Sequence, residues 1–138
     1  MENNGKKEYF RRDLEERTKK FALRIIRLVS ALPGNPIGRV IGYQLLKCGT
    51  SIGANYREAS RAESRADFKH KIAIVEKESG ETMYWLELLA ESEVFPKEKL
   101  SDLTDECNQL ISIFVTIGKK VKRNAEGGSR KAEDGSRK

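Results

Sequence analysis

FKHKIAIVEKESGETMYWLELL, residues Phe68–Leu89, is the stretch whose reading decides the fold class. Phe68, Ile72, Val75, Ser79, Thr82, Leu86 and Leu89 recur at alternating steps of four and three. That rhythm follows the turn of an α-helix and places all of them on one face. A strand would need period-two alternation, and no part of the chain sustains it between turn signals. The fold is therefore expected to be all-α.

Working outward, the same rhythm appears three more times. Leu14, Thr18, Phe21, Ile25, Leu28 and Leu32 form one stripe, and Pro33-Gly34-Asn35-Pro36 ends it. Ile37, Ile41, Leu45, Cys48, Ile52, Tyr56 and Ala59 form the next. After Pro96 comes Leu100, Leu103, Cys107, Leu110, Phe114, Ile117 and Val121. Four helices of roughly 20 to 27 residues with short connections read as an antiparallel up-and-down four-helix bundle. Ser60-x-x-Glu63 and Ser64-x-x-Asp67 both have the spacing of an N-terminal capping pair, and Ser64 is the preferred start of the third helix. Residues 1–12 are read as an N-terminal extension, 13–123 as the bundle and 124–138 as a disordered basic tail. The tail is polar and glycine-rich, with Gly-Ser-Arg-Lys occurring twice, and it has too little apolar surface to offset its ordering entropy.

The second helix carries Gly38, Gly42, Gly49 and Gly53 along one stripe. Each costs about 0.8 to 1 kcal/mol against alanine inside a helix, so close packing must compensate. A smooth groove receiving another helix is the preferred reading; a ligand approaching bare backbone is the other. Ser51, Asn55, Ser79 and Thr82 fall on or beside the seams and are expected to hydrogen-bond one another as a layer that fixes register.

The chain has 138 residues, 35% charged and 38% hydrophobic, with a formal charge of +6. One domain accounts for that length, which excludes a large two-domain enzyme. No window approaches the ~18 to 20 apolar residues of a membrane span. The first residues, Met1-Glu2-Asn3-Asn4-Gly5-Lys6-Lys7, lack the apolar core of an export signal. Cys48 and Cys107 sit on core seams as reduced thiols, so a cytoplasmic protein is expected.

Catalytic patterns are poor. A di-iron bundle needs two Glu-x-x-His pairs, and the chain has one histidine, His70, with Asp67 three residues before it. Glu78-x-x-Glu81 and Asp102-x-x-Asp105 imitate the carboxylate clusters of a magnesium-dependent nucleotide pyrophosphatase, a spacing that charged helix faces also produce by chance. Lys47-Cys48-Gly49-Thr50-Ser51 has phosphate-loop residue types in the wrong order, with no preceding strand. Neither an enzyme nor a metal or other cofactor is expected.

Two surfaces remain. Arg17, Lys20, Arg24 and Arg27 step by three and four along helix one, a ridge about 15 Å long that could meet a few phosphates. Arg57, Arg61, Arg65 and Lys69 step by four across the second helix–helix turn, and Arg57 and Arg61 are assigned with the ridge to RNA or DNA contact. Acidic neighbours such as Glu15, Glu16, Glu58 and Glu63 leave an ordinary solvated face as the alternative. On helix three, Ile74, Trp85 and Leu88 lie about 100° or more from the core stripe and are assigned to an oligomer interface. Stacking of Tyr84 and Trp85 on bases is the competing reading.

Gly49-Thr50-Ser51-Ile52-Gly53-Ala54-Asn55-Tyr56-Arg57-Glu58-Ala59, Ser64-Arg65-Ala66-Asp67-Phe68 and Lys77-Glu78-Ser79-Gly80-Glu81-Thr82-Met83-Tyr84-Trp85-Leu86 together closely resemble one bacterial family. It is that of the protein encoded in intervening sequences of 23S ribosomal RNA genes, and the resemblance covers about residues 15 to 122. It implies a small bundle assembled as a ring-like homopentamer without established enzymatic activity. A related branch, the accessory protein of diversity-generating retroelements, implies nucleic acid, a reverse transcriptase or a ribosomal component as partners. The family supplies no catalytic residues to carry over. Gly80 departs from the small helix-favouring residue usual before Glu-Thr, which is expected to weaken the middle of helix three.

The +6 is unevenly placed. Residues 119–138 hold 8 basic and 3 acidic side chains, whereas residues 1–118 hold 19 and 18. Net charge therefore points to local contact regions, on helix one and in the tail, and not to a basic fold.

Overall fold

The computed structural model describes residues 2–136, with side chains from Gly5 to Asn124. Four helices follow in chain order: α1 (Glu2–Ser30), α2 (Pro36–Ser60), α3 (Arg65–Glu91) and α4 (Lys97–Ser136). No strand occurs among the described residues. The residues read as a disordered tail, 124–138, continue α4 as far as Ser136, and their side chains after Asn124 lie outside the described residues.

Local chemistry sets the helix ends. Asn35 caps α2: its Oδ1 accepts from the Gly38 N–H at 2.9 Å, and Pro36 opens the helix, where its missing N–H costs nothing. Ser64 caps α3, its Oγ accepting from the Asp67 N–H at 3.0 Å. Of the two candidate starts, the chain uses Ser64. Between α3 and α4 the chain reverses through Glu93, which holds a left-handed φ of 61°.

Each helix packs against its sequence neighbour, and α1 meets α4 along the loosest seam. The core is built from the four stripes. Leu14, Phe21, Ile25, Leu45, Ile52, Val75, Leu86, Leu110 and Phe114 are sealed from water. Tyr56 and Phe114 pack as tilted rings 5.5 Å apart. Ile37 departs from its expected place: it stands on the first turn of α2 and is 55% exposed.

The glycine stripe is the seat of α1. A Cβ on Gly49 would lie 2.9 Å from the Ile25 side chain, and one on Gly53 would lie 3.1 Å from the Thr18 hydroxyl. Gly42 faces Val29 and Leu32, and Gly38 lies against the Pro33 carbonyl. Missing side chains let the two helices approach, and the recovered dispersion contacts offset the helix penalty of glycine.

The expected polar layer does not form. Ser79 Oγ donates to the Val75 carbonyl at 2.7 Å and Thr82 Oγ1 to the Glu78 carbonyl at 2.7 Å. Ser51 donates to Lys47 and Asn55 to Ser51 in the same backward pattern. A short hydroxyl reaches the carbonyl one turn back on its own helix more easily than a partner across the seam. Register is therefore set by the packing of α1 on the glycines and by apolar interdigitation.

Candidate functional site

The helix-one cations divide between two roles. Arg17 projects toward α4, where Nη2 donates to Glu106 Oε1 at 2.5 Å and to Gln109 Oε1 at 3.2 Å. Its Nε donates to Glu106 Oε2 at 3.3 Å. The pair is largely covered, with side chains 28% and 21% exposed, and the hydrogen bond to Glu106 raises the guanidinium pKa. Arg17 is thus a clasp across the loosest seam. Arg24 and Arg27 line a hollow of about 280 Å³ with Phe95, Lys99 and Leu103 on the same side of α1. Lys20 is exposed.

Arg57 belongs to a different surface. It lines a hollow of about 250 Å³ between α1 and α2, beside Lys19 and the Gly53 backbone. Arg61 caps the end of α2, its N–H donating to the Glu58 carbonyl at 3.1 Å, and its side chain is exposed. The six assigned cations therefore do not converge on one patch. They share a different property. Residues 17–57 contain eight Lys and Arg and no Asp or Glu, while residues 76–106 contain ten acidic and three basic side chains.

The residues assigned to an oligomer interface are only partly exposed. Ile74 and Leu88 are half-buried, and Trp85 packs on the core and meets the Tyr84 ring edge-on at 5.2 Å. Besides Tyr9, Phe10 and Tyr84, the exposed large apolar side chains lie elsewhere. Tyr43 is 64% exposed and Val40 59%, joined by Ile37 and Leu46 on α2 and by Leu23 and Ile26 on α1. Sequence reasoning missed this face. The signal was present in Val40, Tyr43 and Leu46, which step by three along α2 off the core stripe.

Nucleophilic chemistry finds no support in the thiols. Burial pushes Cys107 up to about 12 and also raises Cys48, so both remain protonated and poorly nucleophilic at neutral pH. Cys107 Sγ instead lies 3.7 Å from the Ser79 carbonyl as a weak donor. Among the described residues no three His, Cys, Asp or Glu side chains gather as a metal site. No described helix is long and apolar enough to cross a membrane.

Comparison with known proteins places these features in a family. The family model described as 23S rRNA-intervening sequence protein matches residues 13–116. A solved protein of unknown function from the S23 ribosomal protein family of Bacteroides thetaiotaomicron VPI-5482 is 39% identical, with a TM-score of 0.71. The alignment spans 76% of this chain and 97% of that one. No match is found among curated proteins. The matched region holds the core stripes as far as Phe114, the glycine stripe and the Ser64 cap, and the chain belongs to the 23S rRNA-intervening sequence protein family.

Proposed function

We propose that this protein is a non-enzymatic, cytoplasmic bundle that assembles as a homopentamer and associates with RNA or DNA through its cationic side chains. The observation that carries nucleic-acid association is the acid-free run from Arg17 to Arg57, with its eight cations. Exposed cations attract a polyanion without reading its bases, so binding is independent of sequence and falls steeply with salt. Lys20, Arg24 and Arg27 are the phosphate-binding residues of choice on α1, with Arg57 and Arg61 on α2. Arg17 supports them by holding α1 against α4. A ribosomal RNA or a retroelement nucleic acid fits the resemblance, with a reverse transcriptase or ribosomal component as protein partner.

The test is a salt titration of binding to a single-stranded RNA by the wild type and by the double variant Lys20→Glu, Arg27→Glu. Both side chains are exposed, so the bundle is expected to keep its fold. Affinity should fall, and the slope of log K against log salt should flatten by about 1 for each phosphate that the variant no longer neutralises. Unchanged affinity overturns the assignment.

A second reading has its own observation. Leu23, Ile26, Val40, Tyr43 and Leu46 give the same two helices an apolar outer face, as an oligomeric protein-interaction scaffold would need. A flat gel shift at all salt concentrations, with a multimer in solution, favours that scaffold.

A further inference from the structure

At the far end of the bundle, the seam between α3 and α4 opens into two adjoining hollows of about 250 and 380 Å³ that share Lys69 and Val121. Their lining runs along α3 from Arg65 to Glu76, about 17 Å at the α-helical rise, and along α4 from Val115 to Asn124. The floor is apolar: Phe68, Ile72, Val115 and Val121, with Ala73 exposed beside it. The rim is cationic: Arg65, Lys69, Lys119 and Lys122. Glu76 is the one acid in the lining. It lies at the inner end, where its carboxylate occupies the place that a Cβ on Gly118 would take. Gly118, Lys119, Val121, Lys122 and Asn124 follow the last residue matched by the family, so the α4 wall of this groove, Val115 apart, lies outside the matched region.

We propose that this groove is a docking site for an acidic amphipathic helix of a partner protein. The floor asks for an apolar stripe, the rim for carboxylates flanking it, and the length for about three helical turns. A nucleic acid would satisfy the rim and leave the floor without an apolar partner. A bilayer is flat, whereas this floor is recessed between two helices. A second copy does not supply the ligand, because the one helix of this chain with a net negative charge, α3, has its apolar stripe in the core. The site is separate from the α1–α2 surface proposed for phosphate binding.

The probe is a fluorescein-labelled peptide of about 14 residues, with leucines at i, i+3, i+4, i+7 and i+11 and glutamates elsewhere. Anisotropy is read on the full chain. A scrambled peptide of the same composition and an oligouridylate of similar charge are the other arms. The amphipathic peptide should bind at least about tenfold more tightly than the scramble. Lys69→Glu and Lys122→Glu should each weaken it about tenfold, while Lys20→Glu should leave it unchanged. Both lysines are exposed, and Lys69→Ala and Lys122→Ala, with far-UV circular dichroism, separate removal of rim charge from unfolding. Equal affinity for the scramble, or no effect of the rim variants, overturns the proposal. Displacement of the peptide by oligouridylate also overturns it and makes the groove a phosphate site. The α1 variants report on nucleic acid independently, so either proposal can fail without the other.

Discussion

The hairpin α1–α2 and the hairpin α3–α4 close the same core by different means. In the first, one helix lies on a row of glycines, and Ile25 and Thr18 approach the α2 backbone directly. In the second, large side chains such as Leu86, Leu89, Leu110 and Phe114 fill the space. The surfaces are also opposed, since the first hairpin is acid-free from residue 17 to 57 and residues 76–106 of the second are strongly acidic. The lesson is that the energetic sign of a glycine depends on what stands beside it, as Gly49 and Gly80 show. Where a neighbour fills its empty side it stabilises, and where nothing does it only weakens the helix.

The sharpest way to break that comparison is Gly38→Ala. Its Cβ would collide with the Pro33 carbonyl, a backbone atom that cannot rotate away. Urea denaturation should show destabilisation by about 3 kcal/mol, at the upper end of overpacking costs. A value below ~1 kcal/mol would mean that the α1–α2 turn is free to shift, contrary to a glycine seat. Gly80→Ala is the counterpart. Gly80 is exposed in mid-α3 with no atom within 4 Å of its would-be Cβ. The substitution should stabilise the protein by about 0.8 to 1 kcal/mol and raise Tm by a few degrees. A drop in Tm would show that the position is covered by a partner.

The smallest effect concerns the acids of α3. Glu76 and Glu78 are partly buried, and desolvation raises the pKa of each carboxyl above its ordinary value. Nearby Glu81 adds to the rise at Glu78, and Lys119 opposes it at Glu76. The ionised form is therefore disfavoured in the folded state. Its penalty is complete above the folded pKa, shrinks as pH falls through that value, and vanishes below the unfolded pKa. Glu78→Gln should raise Tm modestly at pH 7, with the gain disappearing by about pH 4. A gain that persists in acid would assign the effect to something other than charge burial.

Much of the fold was legible because helical periodicity is local. Of the twenty-seven residues placed on the four stripes, only Ile37 is exposed, since a residue in the first turn of α2 has no neighbour across the seam. The glycine stripe read correctly as a helix seat because its cost demanded compensation. The polar layer misread because spacing cannot say whether a hydroxyl bonds across a seam or back along its own helix. The candidate site was less legible. Arg17 belongs to a regular ridge in sequence, yet Glu106 takes its charge, and that partner lies 89 residues away. Ile74, Trp85 and Leu88 stand off the core stripe by angle around one helix, and the neighbouring helices leave them half-buried, which that angle does not report. The tyrosine and aliphatic face of α1–α2 went unseen for the same reason.

The order of residues was enough for the all-α class, the number and order of the helices, the Ser64 cap, the core stripes and the uneven charge. Each follows from residues within a few turns of one another, through steric limits on the backbone and the burial of apolar surface. Packing of the helices was needed to settle which cations are free, which apolar side chains remain outside, and that α3 and α4 part into a cation-rimmed groove. Those properties depend on what one helix places beside another. Solvation and pairing are set by neighbours in space, and periodicity along a chain carries only half of that information.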